Sequence, residues 1–331
     1  LVRRRQLGRT ARRPPKAQRP MDRVGTQRIV VMIAMEEEAQ FFKPYLDDMR
    51  RLDDTPGIVA TYRGALNGAT VDVCVSGIGA VYAATAITAA LLHGPQPVAV
   101  LSCGCAGAHR PDQAKGDIVL GALVTPLSAQ VVDRQGKTRQ SGVRCSMLDQ
   151  ATTVFEADPS LLQIGTAAAN AFCDEWTVDT SDGRPPRVDV GTVGSSDVWR
   201  QDPKLIAEVS EQTGSLCEEM EAHSLAQVCK MFKVPFLAIK DIANSEIYPE
   251  EIQLEPTHSV VPESSPVGVH AANVTAKTIA LLVNDDNWGP QLVVRPTSRS
   301  KAGSSHDALV AAKRPRAGVG SSEQTRQRAR V

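Results

Sequence analysis

The chain has no Cys-x-x-Cys pair, no Gly-x-Ser-x-Gly, no internal repeat, and no apolar run near the roughly 20 residues that a helical membrane span needs. Each absence excludes something. The seven cysteines are an odd number scattered through apolar segments, so they read as reduced, mostly buried thiols of an intracellular protein rather than a disulfide framework. Cys103-Gly104-Cys105 lacks the second ligand pair of a zinc site, and no metal is expected. With no nucleophile elbow and six scattered histidines, a Ser/His/Asp hydrolase has no footing. The expectation is a soluble, cytoplasmic protein.

Acidic residues are almost absent from both ends. Residues 1–28 carry ten Lys and Arg against the single acid Asp22, and residues 291–331 carry nine against Asp307 and Glu323. Of 37 basic and 37 acidic residues, 18 and 34 remain in residues 29–290, so a formal net charge of zero conceals a surplus of 16 negative charges in the middle. An acidic core argues against a nucleic-acid-binding surface. Residues 1–27, with Pro14, Pro15 and Pro20, read as a disordered basic arm, an organelle transit segment, or sequence upstream of a start at Met21. Residues 291–331 read as a disordered basic tail, which leaves residues 28–290 as the folded domain.

Within that domain strand and helix patterns alternate, which specifies an α/β fold with a mixed or parallel sheet. An apolar strand follows Arg28 and ends at Glu36-Glu37-Glu38, and a helix is predicted over residues 39–51. Strands at residues 58–62 and 70–75 are joined by Leu66-Asn67-Gly68, a hairpin signal. Ser76-Gly77-Ile78-Gly79 then opens a helix, a place where backbone amides can face an anion or polar ligand. A buried strand over residues 97–101 runs into Ser102-Cys103-Gly104-Cys105-Ala106-Gly107, whose small side chains allow close approach. Another strand begins at Gly116; residues 126–150 form a candidate flap, residues 161–172 a helix and residues 179–187 a loop. The strand over residues 188–193 leads to Ser195-Ser196-Asp197-Val198-Trp199. Glu219-Met220-Glu221 opens a helix with Ala222, Leu225, Val228, Cys229 and Phe232 on one face, and Val234-Pro235 returns the chain to a buried strand over residues 236–239. Asn244 lies just past it, where ligands of open α/β sheets gather. Residues 248–266 form a candidate lid and residues 270–283 a last amphipathic helix.

Three acidic positions at strand ends compete for chemistry: Glu36 to Glu38, Asp197, and Glu219 with Glu221. Paired carboxylates are what glycosidic cleavage needs, one to activate water and one to hold the sugar as positive charge builds. Acids in the first turn of a helix also complement its dipole, and residue types alone favour that plainer reading of Glu36 to Glu38. His223 reads as a packed histidine; His109, after the glycine loop, is placed to reach a ligand.

The ordered set Ala34-Met35-Glu36-Glu37-Glu38, Leu66-Asn67-Gly68, Ser76-Gly77-Ile78-Gly79, Gly104-Cys105-Ala106-Gly107, Gly116-Asp117-Ile118-Val119, Ser195-x-Asp197 and Glu219-Met220-Glu221-Ala222 through Val234-Pro235-Phe236 resembles the 5′-methylthioadenosine/S-adenosylhomocysteine nucleosidases of the nucleoside phosphorylase superfamily. The resemblance covers about residues 28–283. It implies a single three-layer α/β domain with a central mixed β-sheet flanked by helices, a homodimer without cofactor, and a purine nucleoside as small-molecule partner. Neither nucleic acid nor membrane enters. Carried over by position, Glu38 is the base that activates water. Glu221 holds the ribose 2′- and 3′-hydroxyls, with Glu219 and Met220 in the same sugar-binding run. Met35, Ser76 and Gly77 line the substrate, the last two on its ribose side, and Trp199 stacks on the base. Phosphorylases of the superfamily hold phosphate with arginines where this chain has residues 35–38 and Ser102, so water is the expected nucleophile.

One position departs from the pattern. The family's aspartic acid that protonates purine N7 is Asn244 here, and an amide donates a hydrogen bond without transferring a proton. Asn244 therefore keeps two alternatives open, a 6-oxopurine nucleoside phosphorylase and a catalytically weakened nucleoside-binding homologue. Residues 125–137 also lack the histidine-aspartate pair and aromatics expected near the 5′ substituent, which stays unassigned.

Overall fold

A computed structural model describes residues 27–128, 130–136, 138–140, 153–175, 184–244 and 268–285. Both terminal arms, the candidate lid and much of the candidate flap lie outside the described residues. All described residues fall within one unit spanning Leu1–Pro290.

Strand β1 (Arg28–Ile33) is buried along its whole length because parallel neighbours flank it on both sides, and its run of Ile, Val and Met suits a strand covered on both faces. Helix α1 (Glu36–Phe42) starts at the three acids but stops far short of the predicted residue 51. Pro44 lacks the amide that would continue the helix, so Lys43–Tyr45 tightens into a 3-10 turn. Asp47–Arg51 then forms β2, a fully exposed, charged edge strand on β3 (Ala60–Leu66). Charge on an edge strand discourages further pairing. The expected hairpin joins β3 to β4 (Ala69–Val75), with Asn67 and Gly68 both at positive φ, 50° and 88°.

The chain continues through α2 (Ala80–Leu92), β5 (Ala99–Ala108) and β6 (Ile118–Pro126) to a small hairpin, β7 (Gln130–Val132) and β8 (Thr138–Gln140), inside the candidate flap. There follow β9 (Phe155–Glu156), α3 (Pro159–Glu175), β10 (Val188–Ser195), α4 (Pro203–Thr213), β11 (Ser215–Glu219), α5 (Ala222–Phe232), β12 (Phe236–Asn244) and α6 (Val269–Asn284). Neither α4 nor β11 is apparent from sequence pattern. Asn244 is the last residue of β12, opposite Gly107, rather than a loop residue beyond it.

The main sheet runs β11-β10-β6-β12-β5-β1-β4-β3-β2 and is mixed, with β12 parallel to β5 and antiparallel to β6. β11 also pairs antiparallel with the end of β5, so β5, β12, β6, β10 and β11 close into a ring. Helices α1, α3 and α6 cover one face, where Phe42, Leu161, Phe172 and Ile279 pack on Ile29, Leu101 and Leu237. Helices α2 and α5 cover the other, where Ile87, Leu225 and Cys229 pack on Val30, Val100 and Ala238. The result is the expected three-layer α/β arrangement, with the carboxyl ends of β1, β4, β5, β11 and β12 brought to one region.

Candidate active site

Glu38 is 4% exposed just after β1. Its Oε2 accepts from Met35 N at 3.2 Å and its Oε1 from Cys105 N on β5 at 2.9 Å. Gly104 makes this approach feasible, because a Cβ there would lie 2.8 Å from Glu38 Oε1. Ser76 is buried at the end of β4 and its hydroxyl donates to Gly77 O at 2.8 Å. Gly77 N donates to Ala34 O at 3.0 Å, so the glycine turn is tied to the β1 end that carries Met35.

Two carboxylates meet the first amides of α2. Gly79 N donates to Glu221 Oε1 and Ala80 N to Asp197 Oδ1, each at 2.7 Å. Anionic groups are favoured there by the unpaired amides and the helix dipole. Asp197 thereby brings the loop after β10 beside the glycine turn. Trp199 on that loop is 53% exposed, and Met220 is half-buried beside Glu221. Burial, then the neighbouring Glu219 charge, raise the Glu221 carboxyl to about 8, against the opposing pull of Lys240 and Gly79 N–H.

A match to the phosphorylase superfamily model spans residues 28–267. The nucleosidase of Anoxybacillus flavithermus acting on 5′-methylthioadenosine and S-adenosylhomocysteine is 32% identical over 222 residues, 66% of this chain and 87% of the relative. Its counterpart from Psychromonas ingrahamii is 31% identical over 232 residues, 69% and 90% respectively. In fold, the Neisseria meningitidis nucleosidase solved with methylthio-immucillin-A aligns with a TM-score of 0.61 at 22% identity, covering 77% of this chain and 99% of that one. The chain belongs to the phosphorylase superfamily, in its 5′-methylthioadenosine/S-adenosylhomocysteine nucleosidase family. That family consists of purine nucleoside N-glycosyl hydrolases.

Not every residue marked out by sequence faces the centre of this nucleosidase fold. Glu219, expected to contact the sugar, turns its carboxylate inward. Its oxygens accept from Glu221 N at 3.2 Å and Ala222 N at 2.9 and 3.0 Å, and its Oε2 lies 3.1 Å from Lys240 Nζ. His109, only a lesser candidate for ligand contact from sequence, is 3% exposed; its Nδ1 is 2.8 Å from Ser215 Oγ and its Nε2 3.3 Å from Glu218 Oε2. Both partners belong to β11, which the sequence pattern does not reveal. His223 is packed as expected, against Phe155 and Thr153 O. Asn244 closes β12, with its amide atoms 3.6 Å from the point where a Cβ on Gly107 would sit.

Asp241 is committed elsewhere. It accepts from Gly268 N at 3.0 Å, His270 N at 3.0 Å and Ala271 N at 3.2 Å, capping α6, and burial raises its pKa to about 6 against the pull of His270. Lys240 is the residue sequence reasoning missed. Its signal is a lone cation inside an apolar strand, a residue type that is buried only when paired. Burial works against its charge, but Glu219, Glu221 and Glu38 more than offset that and raise its pKa. Among the described residues no His, Cys, Asp and Glu cluster is arranged to hold a metal, and no helix is long and apolar enough to cross a membrane.

Proposed function

We propose that the chain hydrolyses the N-glycosidic bond of 5′-methylthioadenosine or S-adenosylhomocysteine, releasing adenine and a 5-thioribose, a step of methionine salvage. The observation that carries this reading is the pair of buried carboxylates, Glu38 and Glu221, each fixed by backbone amides at neighbouring strand ends. Glu38 takes a proton from the attacking water as the bond to adenine breaks. Adenine departs as its anion and takes its proton from solvent water, because Asn244 has none to transfer. Glu221 holds the ribose hydroxyls with Met220 against the sugar. Met35, Ser76 and Gly77 line the substrate, the last two on its ribose side, and Trp199 covers the base. Positive charge developing on the sugar is stabilised by fixed negative groups in a site sheltered from water. Glu38, Glu219 and Glu221 surround Lys240, and this acid-rich setting without an arginine at residues 35–38 or 102 supports water rather than phosphate as the nucleophile.

Asn244 supports a second reading, phosphorolysis of a 6-oxopurine nucleoside, because its amide can contact both O6 and N7; a nucleoside-binding homologue with little turnover is the third. We also propose a homodimer. Ile78, Val81 and Tyr82 at the start of α2, with Val198 and Trp199, leave large apolar side chains exposed on two segments that the Asp197 to Ala80 hydrogen bond joins. The six cysteines found free among the described residues support a reducing, cytoplasmic setting.

The deciding experiment incubates the full chain with methylthioadenosine, S-adenosylhomocysteine, adenosine and inosine, with and without phosphate, and follows free base by chromatography. Adenine released without phosphate is the expected result. Base released only with phosphate would move the chain to the phosphorylases, and tight binding without release would make it a binding protein.

A further inference from the structure

Lys240 stands in the middle of β12, paired with Gly104 of β5 on one side and Val119 of β6 on the other, and is 3% exposed. A cation so deep needs a reason. Its Nζ lies 3.1 Å from Glu219 Oε2. Glu219 in turn accepts from the amides of Glu221 and Ala222, the two that follow Met220 and open α5. Those amides flank the Cα from which the Glu221 side chain leaves. Glu221 Oε1 is then fixed by Gly79 N at 2.7 Å.

We infer that Lys240 and Glu219 are a positioning pair that aims Glu221 at the sugar hydroxyls. The inference rests on the role given to Glu221 under the proposed function and adds two residues to it, neither of which touches substrate. The ammonium holds the Glu219 carboxylate, the carboxylate holds the backbone bend at Glu221, and the bend sets where the Glu221 oxygens point. An isolated ion pair buried for stability alone would be replaceable by apolar residues of similar size. A positioning pair would not be.

The test compares two uncleavable ligands, a C-nucleoside of adenine and its 2′,3′-dideoxy counterpart, by calorimetric titration of the full chain. Hydrogen bonds between the two hydroxyls and Glu221 give the wild type a preference of roughly tenfold to hundredfold for the hydroxylated ligand. Lys240→Met and Glu219→Gln are expected to bring that ratio close to one while affinity for free adenine is kept, and Lys240→Arg is expected to restore it. A merely structural role would weaken all ligands together and leave the ratio unchanged. Where Lys240→Met leaves Glu219 uncompensated and the protein unfolded, the double variant Lys240→Met/Glu219→Gln removes both charges at once and carries the same expectation. A folded variant that keeps the wild-type ratio overturns the positioning role alone. Wild-type protein that binds adenine but shows no preference for the hydroxyls overturns the role assigned to Glu221 as well.

Discussion

Gly79 donates its amide to Glu221 Oε1 at 2.7 Å, joining two positions 142 residues apart. The glycine is required twice over: its φ is +101°, and a Cβ there would lie 2.9 Å from Asp197 Oδ1. Gly79→Ala therefore strains the turn and pushes against the carboxylate that tethers the Trp199 loop. Losing a well-aimed charged hydrogen bond is worth roughly tenfold or more, so KM for the nucleoside is expected to rise by about that factor. Steady-state kinetics check it, and an unchanged KM would detach Glu221 from the sugar.

Glu38→Gln preserves an acceptor for Cys105 N but removes both the charge and the proposed base. The expected result is a loss of about 10²- to 10⁴-fold in kcat with nucleoside affinity little changed. Single-turnover release of adenine, measured beside equilibrium binding, separates the two. A variant that turns over like the wild type would show that water is activated elsewhere.

Much of this arrangement is legible in the sequence because its determinants are local. The apolar run of β1, the Asn67-Gly68 turn and the helical face from Ala222 to Cys229 each carry their own period or turn chemistry. What escapes is fixed by distant partners. Residues 47–51 continue a helix-compatible pattern, yet pairing with β3 beyond the Pro44 break makes them a strand. β11 is five residues long with adjacent acids, Glu218 and Glu219, which read as a polar connection. Arg200 accounts for the first and Lys240 for the second, and neither pairing can be read along the chain. The partners that bury His109, Ser215 and Glu218, are hidden for the same reason, since they lie more than 100 residues away in sequence.

Stability should depend on pH with two limbs. Glu221, raised to about 8, and Asp241, raised to about 6, bind protons more tightly folded than unfolded. Their contribution is complete below the unfolded carboxylate range and is lost as pH rises through those folded values. Asp72 has the opposite sign: burial raises its pKa, but Arg63 and Arg28 outweigh that and hold it low, so its contribution disappears as pH falls. The melting temperature is expected to fall between about pH 5 and pH 8, and Glu221→Gln to flatten that slope. Calorimetry across the range tests it; an identical slope in the variant would remove Glu221 as its source.

Asp72 also makes a prediction that does not involve substrate. It is buried on β4 and takes Arg28 Nε at 2.7 Å and Arg63 Nη2 at 2.8 Å, with Arg28 itself 6% exposed. Asp72→Ala leaves Arg28 buried without its counter-charge, which costs roughly 3–5 kcal/mol. Urea unfolding should show a lower midpoint at unchanged slope. Because Asp72 sits midway along β4 and its carboxylate is committed to Arg28 and Arg63 rather than to the glycine turn, whatever protein remains folded should keep its kcat.

Asn244 closes β12 with its amide opposite Gly107. An amide can hold purine N7 by a hydrogen bond, but adenine must gain a proton as it leaves, and Asn has none to give. Asn244→Asp supplies a carboxyl at the same point of the strand without changing side-chain length. Adenine release from methylthioadenosine is then expected to rise by about 10²-fold, the lower end of what a general acid contributes. The rate should also fall at alkaline pH as the new carboxyl loses its proton, a limb absent from the wild type. If the native reaction is instead phosphorolysis of a 6-oxopurine nucleoside, the same substitution removes the amide donor to O6 and inosine cleavage falls while adenine release gains nothing. The two substrates measured side by side on one variant therefore distinguish a missing acid from a different base specificity.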